Sequence, residues 1–342
     1  MYLCIHQRKV WKIKLIAILK IKIVIYIIHG SNFLNILITG GAGFVCSHLA
    51  EKLYQEGHTL YLLDNLLTGN LKNIENLISE PNVKFINHDV QNFIEIDNDV
   101  DYIFHFASAA SPIAYQENPI NTLKAGSVGT INTLGLARKK NSEYFLASTS
   151  EVYGDPLISP QSENYWGNVN PNGERSMYDE AKRFAEAATA TYSRTYGIKT
   201  KIVRIFNTYG PRMQLNDGRV VTNFIVQALK DQDITVYGDG SQTRSFSYVE
   251  DTVNGIISMM KSKYFEVFNI GNPTEITINQ LANYIIQLTN SNSKLINKNL
   301  PMDDPKQRKP DISKAKELLN WAPKVKLEEG LLKTINWVEK QI

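Results

Sequence analysis

A short apolar run at residues 35–39, Asn-Ile-Leu-Ile-Thr, meets Gly40-Gly41-Ala42-Gly43-Phe44-Val45-Cys46, and residues 47–53 then show helical spacing. Gly40 permits the tight turn, and the missing side chain at Gly43 lets the backbone approach a pyrophosphate seated on the helix N-terminus. A strand, a glycine turn and a helix in this order form the phosphate-binding corner of dinucleotide sites. The third glycine of that pattern, needed for close helix-to-strand packing, is Cys46 here. Its side chain is small, so a slightly displaced helix is the expectation.

A second apolar run, 59–63, ends on Asp64, 21 residues after Gly43. A carboxylate there accepts hydrogen bonds from the adenosine ribose hydroxyls and repels a 2′-phosphate, which favours NAD over NADP. Further strands are expected at 82–90, 101–108 and 143–150, the first closing on Asp89, placed to contact the adenine. Strands alternating with helical stretches predict right-handed crossovers and a parallel sheet with ligands at its C-terminal edge. The expected class is α/β, a Rossmann-type doubly wound parallel sheet with a smaller C-terminal substrate-binding domain. The NAD-binding part is expected over 33–206, with a returning segment near 237–268, and the substrate part mainly over 207–342.

Composition narrows the partners. Lys and Arg (37) nearly balance Asp and Glu (34), and a net charge of +3 over 342 residues leaves no footprint for nucleic acid. Two cysteines, Cys4 and Cys46, exclude a disulfide scaffold and fit a reducing, cytoplasmic compartment. No metal-ligand spacing, internal repeat or nucleophilic triad is present. Residues 1–32 stand apart, because Val10 to Ile28 is apolar yet carries Lys12, Lys14, Lys20 and Lys22. Four ammonium groups are costly inside a bilayer, so a membrane span is not expected. A poorly structured extension is the plain reading, and a basic interfacial anchor the alternative.

Residues 176–188 are rich in good helix formers and lack proline and glycine. Tyr178 and Lys182 are four apart and share a helix face. An ammonium beside a phenol favours phenolate, and is expected to lower the tyrosine pKa from about 10 toward the range of a general base. Tyr-x-x-x-Lys alone is common. Its weight comes from Thr149, Ser150 and Glu151 at the edge of the fifth strand, where a hydroxyl can bond the substrate hydroxyl that Tyr178 deprotonates.

Gly40-x-x-Gly43, Asp64, Thr149-Ser150-Glu151-Val152-Tyr153-Gly154 and Tyr178-x-x-x-Lys182 together resemble the extended short-chain dehydrogenase/reductase family of nucleotide-sugar enzymes, from about Asn35 to the C-terminus. The motifs around Ser111-Pro112, Asn118-Pro119-Ile120, Tyr165 to Pro171, Arg204 to Met213, Asn216 to Val221, Tyr237 to Arg244 and Arg308 to Ile312 resemble most the members that decarboxylate UDP-glucuronate. That resemblance implies a carboxy-lyase with catalytic NAD. It would oxidise C4, lose carbon dioxide from the resulting β-keto acid, and re-reduce C4 to give UDP-xylose. Release of the UDP-4-keto-pentose with NADH, or a 4,6-dehydratase reaction, are the alternatives. The related dehydratases carry aspartate where this chain has Ser150, and the 4-epimerases lack the counterpart of Glu151.

By the same resemblance, Tyr178, Lys182, Thr149, Ser150, Glu151 and Arg308 are the catalytic set. The cofactor is expected to meet Gly40, Gly43, Phe44, Val45, Asp64, Asn65, Thr68, Asp89, Val90, Phe106 and Ser108, together with Tyr178 and Lys182. Substrate contacts fall to Tyr115, Lys124, Asn207, Arg219, Val221, Asn223, Tyr237, Gln242 and Arg244, the arginines because their forks pair with phosphate oxygens. Arg308, in a charged stretch at 303–309, is implied to sit over the substrate carboxylate. Relatives usually have asparagine at Gly126 and proline at Ala109, and the glycine is expected to loosen the surroundings of the tyrosine. The family is usually dimeric, through helices expected at 120–139 and 178–196.

Overall fold

The computed structural model describes residues 33–299 and 307–342. The extension 1–32 and most of the charged stretch before Arg308 lie outside them. Seven strands form the central sheet, numbered here β1 (Asn35–Thr39), β2 (Thr59–Asp64), β3 (Val83–Asn87), β4 (Tyr102–His105), β5 (Glu143–Thr149), β6 (Thr200–Ile205) and β7 (Val267–Ile270). Their order across the sheet is β7-β6-β5-β4-β1-β2-β3, and every pairing is parallel. The chain therefore leaves β1 in one direction and returns beside it as β4, which opens a crevice at their C-terminal ends.

Burial on both faces explains the unbroken apolar runs. Ile36 and Ile38 enter one core while Leu37, between them, enters the other, and all three are fully buried. The third and fourth strands stop short of their expected ends, so Asp89 and Ser108 stand on loops beyond the sheet edge. β5 stops at Thr149, where Ser150–Tyr153 coils into a 3-10 turn whose cap is the Thr149 hydroxyl, accepting from the Glu151 N–H at 3.3 Å.

The tyrosine helix spans Ser176–Tyr196, longer than expected, and ends where Gly197 turns left-handed at φ +71°. Glu186 anchors it to the sheet, because its carboxylate takes both arms of the Arg204 guanidinium (2.9 and 2.8 Å) and the Ser148 hydroxyl (2.6 Å). From β6, Lys201 donates to the carbonyls of Met259, Met260 and Ser262 at the end of the helix Val249–Lys261. A cation there offsets the negative end of the helix. The strand Thr243–Ser245 lies between Glu275–Thr277 and Gln307–Arg308, which sets Arg308 level with Arg244. Among the described residues, no helix is long and apolar enough to cross a membrane.

Candidate active site

The crevice between β1 and β4 has the shape the glycine turn implies. Gly40 sits at φ +72°, and a Cβ there would lie 3.0 Å from the Ala107 nitrogen. The Gly43 N–H donates to the Gly40 carbonyl at 3.0 Å, and Gly43 opens the helix Phe44–Gln55 with no side-chain cap and no acid in its first turn. Its positive end therefore remains available to an anion. Cys46, in the third glycine's place, is buried with its thiol 4.0 Å from the Thr39 carbonyl, and burial pushes that thiol well above its usual pKa.

A groove of about 580 Å³, its open mouth included, is lined by Gly40, Gly43, Asp64, Asn65, Thr68, Asp89, Val90, Ser108 and Ala109. Phe44, Val45 and Phe106 adjoin these residues in the chain without lining it. Asp64 is buried. Its carboxylate accepts the Ala42 N–H at 3.0 Å and the Leu66 N–H at 2.8 Å, although burial still raises its pKa above the ordinary value. Asn65 donates to Asp89 at 2.9 Å, joining the two acidic ends of the groove. No metal-holding cluster of His, Cys, Asp and Glu occurs among the described residues.

Tyr178 is buried and hydrogen-bonded to the Thr149 hydroxyl. Its ring stacks on Tyr115, with centroids 5.1 Å apart and planes 12° apart, beside Ala109 and Ala114. Lys182 lies on the same helix face, its Nζ 5.8 Å from the Tyr178 ring centroid and 2.9 Å from the Ala147 carbonyl. The expected lowering of the phenol pKa is not what this environment produces. Burial pushes Tyr178 above its usual 10.0, and Glu151, Asp179 and Tyr115 push the same way against the Thr149 hydrogen bond. Lys182 is itself driven down, to about 8, chiefly by burial. Desolvation outweighs the ammonium because Nζ is turned to a carbonyl rather than to the phenol oxygen.

Glu151 follows on the 3-10 turn and faces two guanidinium groups. Arg175 donates to its Oε2 at 2.6 Å, Arg308 donates to the same oxygen at 3.1 Å, and Arg308 also bonds the Ser150 carbonyl. Burial alone would raise the Glu151 carboxyl, but Arg308, then Arg175 and Arg244, hold it below its ordinary pKa. Arg308 is 2% exposed, so a residue of a charged stretch is in fact a buried cation. The sequence reading missed Arg175, whose only signal is its place immediately before the helix begins. Asp179 was missed as well, although it lies within the motif of Tyr178 and Lys182.

Of the expected substrate contacts, Tyr115 is already in this pocket. Arg219 opens the helix Val220–Leu229, is paired with Asp217, and lies over the Phe44 ring at 5.5 Å, so it stands next to the glycine-turn helix. Val221 is buried in that helix's first turn, and the Asn223 N–H donates to the Arg219 carbonyl at 3.0 Å. Gln242 donates to the Tyr237 carbonyl at 2.6 Å, and Tyr237 is 45% exposed. Asn207 accepts the Ser247 N–H through its carbonyl, and Lys124 is exposed at the end of the helix Pro119–Lys124. The structure thus brings Tyr178, Lys182, Thr149, Ser150, Glu151 and Arg308 into one place, and leaves Lys124 and Tyr237 exposed and Gln242 half-buried.

Gly126 does not loosen the site. It is buried in a π-helical turn, and a Cβ there would come within 2.6 Å of the Ala181 Cβ on the tyrosine helix. Glycine is what lets the two helices touch. Gly126→Ala is therefore expected to destabilise the fold by about 1–3 kcal/mol through overpacking, measured by denaturant unfolding. An unchanged midpoint would show that the helices part without cost.

Comparison with known proteins places the family and the fold. Residues 37–334 match the family model described as GDP-mannose 4,6 dehydratase. UDP-glucuronic acid decarboxylase 1 of Xenopus tropicalis is 52% identical over 308 residues, spanning 90% of this chain and 73% of that protein. UDP-glucuronic acid decarboxylase 3 of Arabidopsis thaliana is 52% identical over 300 residues, 87% of each. Among solved structures, UDP-glucose 4-epimerase of Thermotoga maritima with UDP-glucose superposes with a TM-score of 0.82 at 30% identity, covering 90% of this chain and 99% of that one. UDP-glucuronic acid 4-epimerase of Bacillus cereus with UDP-glucuronic acid and NAD gives 0.81 at 26% identity, covering 90% and 100%.

Proposed function

This chain belongs to the extended short-chain dehydrogenase/reductase family whose model is described as GDP-mannose 4,6 dehydratase, and we infer that it converts UDP-glucuronate to UDP-xylose and carbon dioxide with NAD. One arrangement carries the reading. Glu151, held between Arg175 and Arg308, adjoins the hydrogen-bonded Tyr178–Thr149 pair, so a cluster suited to a carboxylate stands next to a group suited to a hydroxyl. The relatives named UDP-glucuronic acid decarboxylase support it.

The glycine cradle, the uncapped helix end and the buried Asp64 fit NAD. When bound, NAD supplies the acceptor and later the donor of the C4 hydride. Tyr178 takes the proton of the C4 hydroxyl, with Thr149 bonded to the same phenol oxygen and Lys182 offsetting the phenolate charge. Once C4 is a ketone, the C5 carboxylate is a β-keto acid. Its C–C bond breaks, carbon dioxide leaves, and the electron pair passes into the ketone as an enolate. Arg308 orients the carboxylate, and Glu151 assists the return of a proton to C5. Arg219 and Arg244 hold the diphosphate, with Val221, Asn223, Tyr237, Gln242, Asn207 and Lys124 around the nucleotide and sugar.

Purified protein given NAD and UDP-glucuronate is expected to release carbon dioxide and UDP-xylose in equal amounts with no net NADH. Absence of carbon dioxide would overturn the assignment, and accumulating NADH would favour release of the keto sugar. Assembly as a cytoplasmic homodimer is part of the same proposal. Ile120, Val128, Ile131 and Phe184 leave apolar surface exposed on the two helical segments around Pro119–Lys140 and Ser176–Tyr196, and sedimentation at the monomer mass would exclude it.

A further inference from the structure

Beside Tyr178, the first turn of the tyrosine helix buries a second carboxylate. Asp179 is 7% exposed, and its Oδ1 has no hydrogen-bond partner. A carboxylate in the first turn of a helix is ordinarily stabilised in its charged form. Here burial and the neighbouring Glu151 act the other way. They outweigh Arg175 and Arg308, Glu180 adds to them, and the carboxyl is pushed up to about 7. The cluster thus holds two guanidinium groups, one carboxylate that stays ionised, and one that titrates near neutrality. With Asp179 protonated its net charge is +1, and with Asp179 ionised it is zero. Tyr178, the other titratable neighbour, remains a neutral phenol across this range.

Decarboxylation consumes one proton. The C5 carboxylate departs as neutral carbon dioxide, the electron pair of the broken bond remains on the enolate, and C5 must then gain a proton. We propose that Asp179 is the proton store for this step, a positioning residue that takes up a proton as the substrate carboxylate enters the Arg175–Glu151–Arg308 cluster and yields it to the site, through Glu151, as carbon dioxide leaves. The proposal rests on the decarboxylase reading above. The carboxylate anion favours the +1 cluster by opposite charge, and decarboxylation moves that charge off the cluster and onto the enolate, so Asp179 releases its proton at the moment C5 requires one. Solvent then recharges Asp179, and the atoms balance over the cycle.

Calorimetry on the NADH-loaded protein, which cannot oxidise C4 and therefore binds UDP-glucuronate without turnover, in buffers of different ionisation enthalpy, decides the matter. UDP-glucuronate binding is expected to take up about half a proton at pH 7, approaching one as the pH rises, and to weaken by up to roughly tenfold per unit of pH above 7. UDP-xylose, which lacks the carboxylate, should bind without either effect. Asp179→Asn should abolish the uptake and lower kcat at least roughly tenfold, while single-turnover NADH formation at C4 keeps its wild-type rate. A purely structural role would slow both phases together. Uptake that persists in Asp179→Asn, or no uptake by the wild type, overturns the proposal, and the wild-type measurement stands even if the variant does not fold. Wild type that releases no carbon dioxide removes the parent reading with it, whereas release without proton uptake removes this inference alone.

Discussion

Tyr178→Phe is expected to lower turnover of UDP-glucuronate by roughly 10³-fold or more. The substitution removes one oxygen from a side chain whose ring is held on Tyr115 by stacking and whose surroundings are apolar. The fold should therefore survive, and a melting temperature near the wild type would show that it has. What is lost is the hydroxyl that is bonded to Thr149 and placed on the face of Lys182. Oxidation at C4 precedes every later step, so both NADH formation in a single turnover and carbon dioxide release should fall together. The direction of the pKa shift matters here. Because burial holds the phenol protonated, the tyrosine would become easier to ionise only as positive charge enters the groove, as a cofactor with a cationic nicotinamide would bring. Carbon dioxide released at the wild-type rate by the phenylalanine variant would remove Tyr178 from the mechanism.

Arg308→Lys should separate the two halves of the reaction. Lysine keeps the charge but not the fork, and Arg308 uses that fork, one arm on the Ser150 carbonyl and the other on Glu151. Tyr178 and Thr149 are untouched by the change. C4 oxidation should therefore proceed while loss of carbon dioxide slows by roughly 10²-fold, the scale of removing one oriented electrostatic partner. NADH should accumulate in proportion to the keto acid, as a transient absent from the wild type. The ion pair with Arg175 keeps Glu151 from being stranded, so destabilisation should stay near the 1–3 kcal/mol of a lost buried hydrogen bond. Unchanged carbon dioxide release, with no NADH transient, would show that the carboxylate is oriented elsewhere.

The two variants depend on residues that differ in how readable they were. Tyr178 and Lys182 are four positions apart in one helix, and helix geometry alone puts them on one face. Gly40 and Gly43 are similar, since a turn that needs positive φ and a close backbone approach restricts the residue type within a few positions. Arg308 lies 157 residues from Glu151 in a stretch whose charge suggests solvent. Only resemblance to a family pointed at it, and only the pairing of Gln307–Arg308 with Thr243–Ser245 shows how it is buried. Gly126 was read by its helix cost, yet its role is set by Ala181, a residue on another helix.

Local spacing along the backbone was enough to determine the parallel α/β order, the glycine turn, the acid at the end of β2 and the shared face of Tyr178 and Lys182, because these follow from dihedral preference and periodicity over a few residues. Tertiary structure alone decided the charge states. Whether Tyr178 is easier or harder to ionise, whether Glu151 stays charged between Arg175 and Arg308, and whether Asp179 holds a proton depend on burial and on partners brought from distant segments. Desolvation and Coulomb energy are functions of distance in space, which residue numbers do not contain.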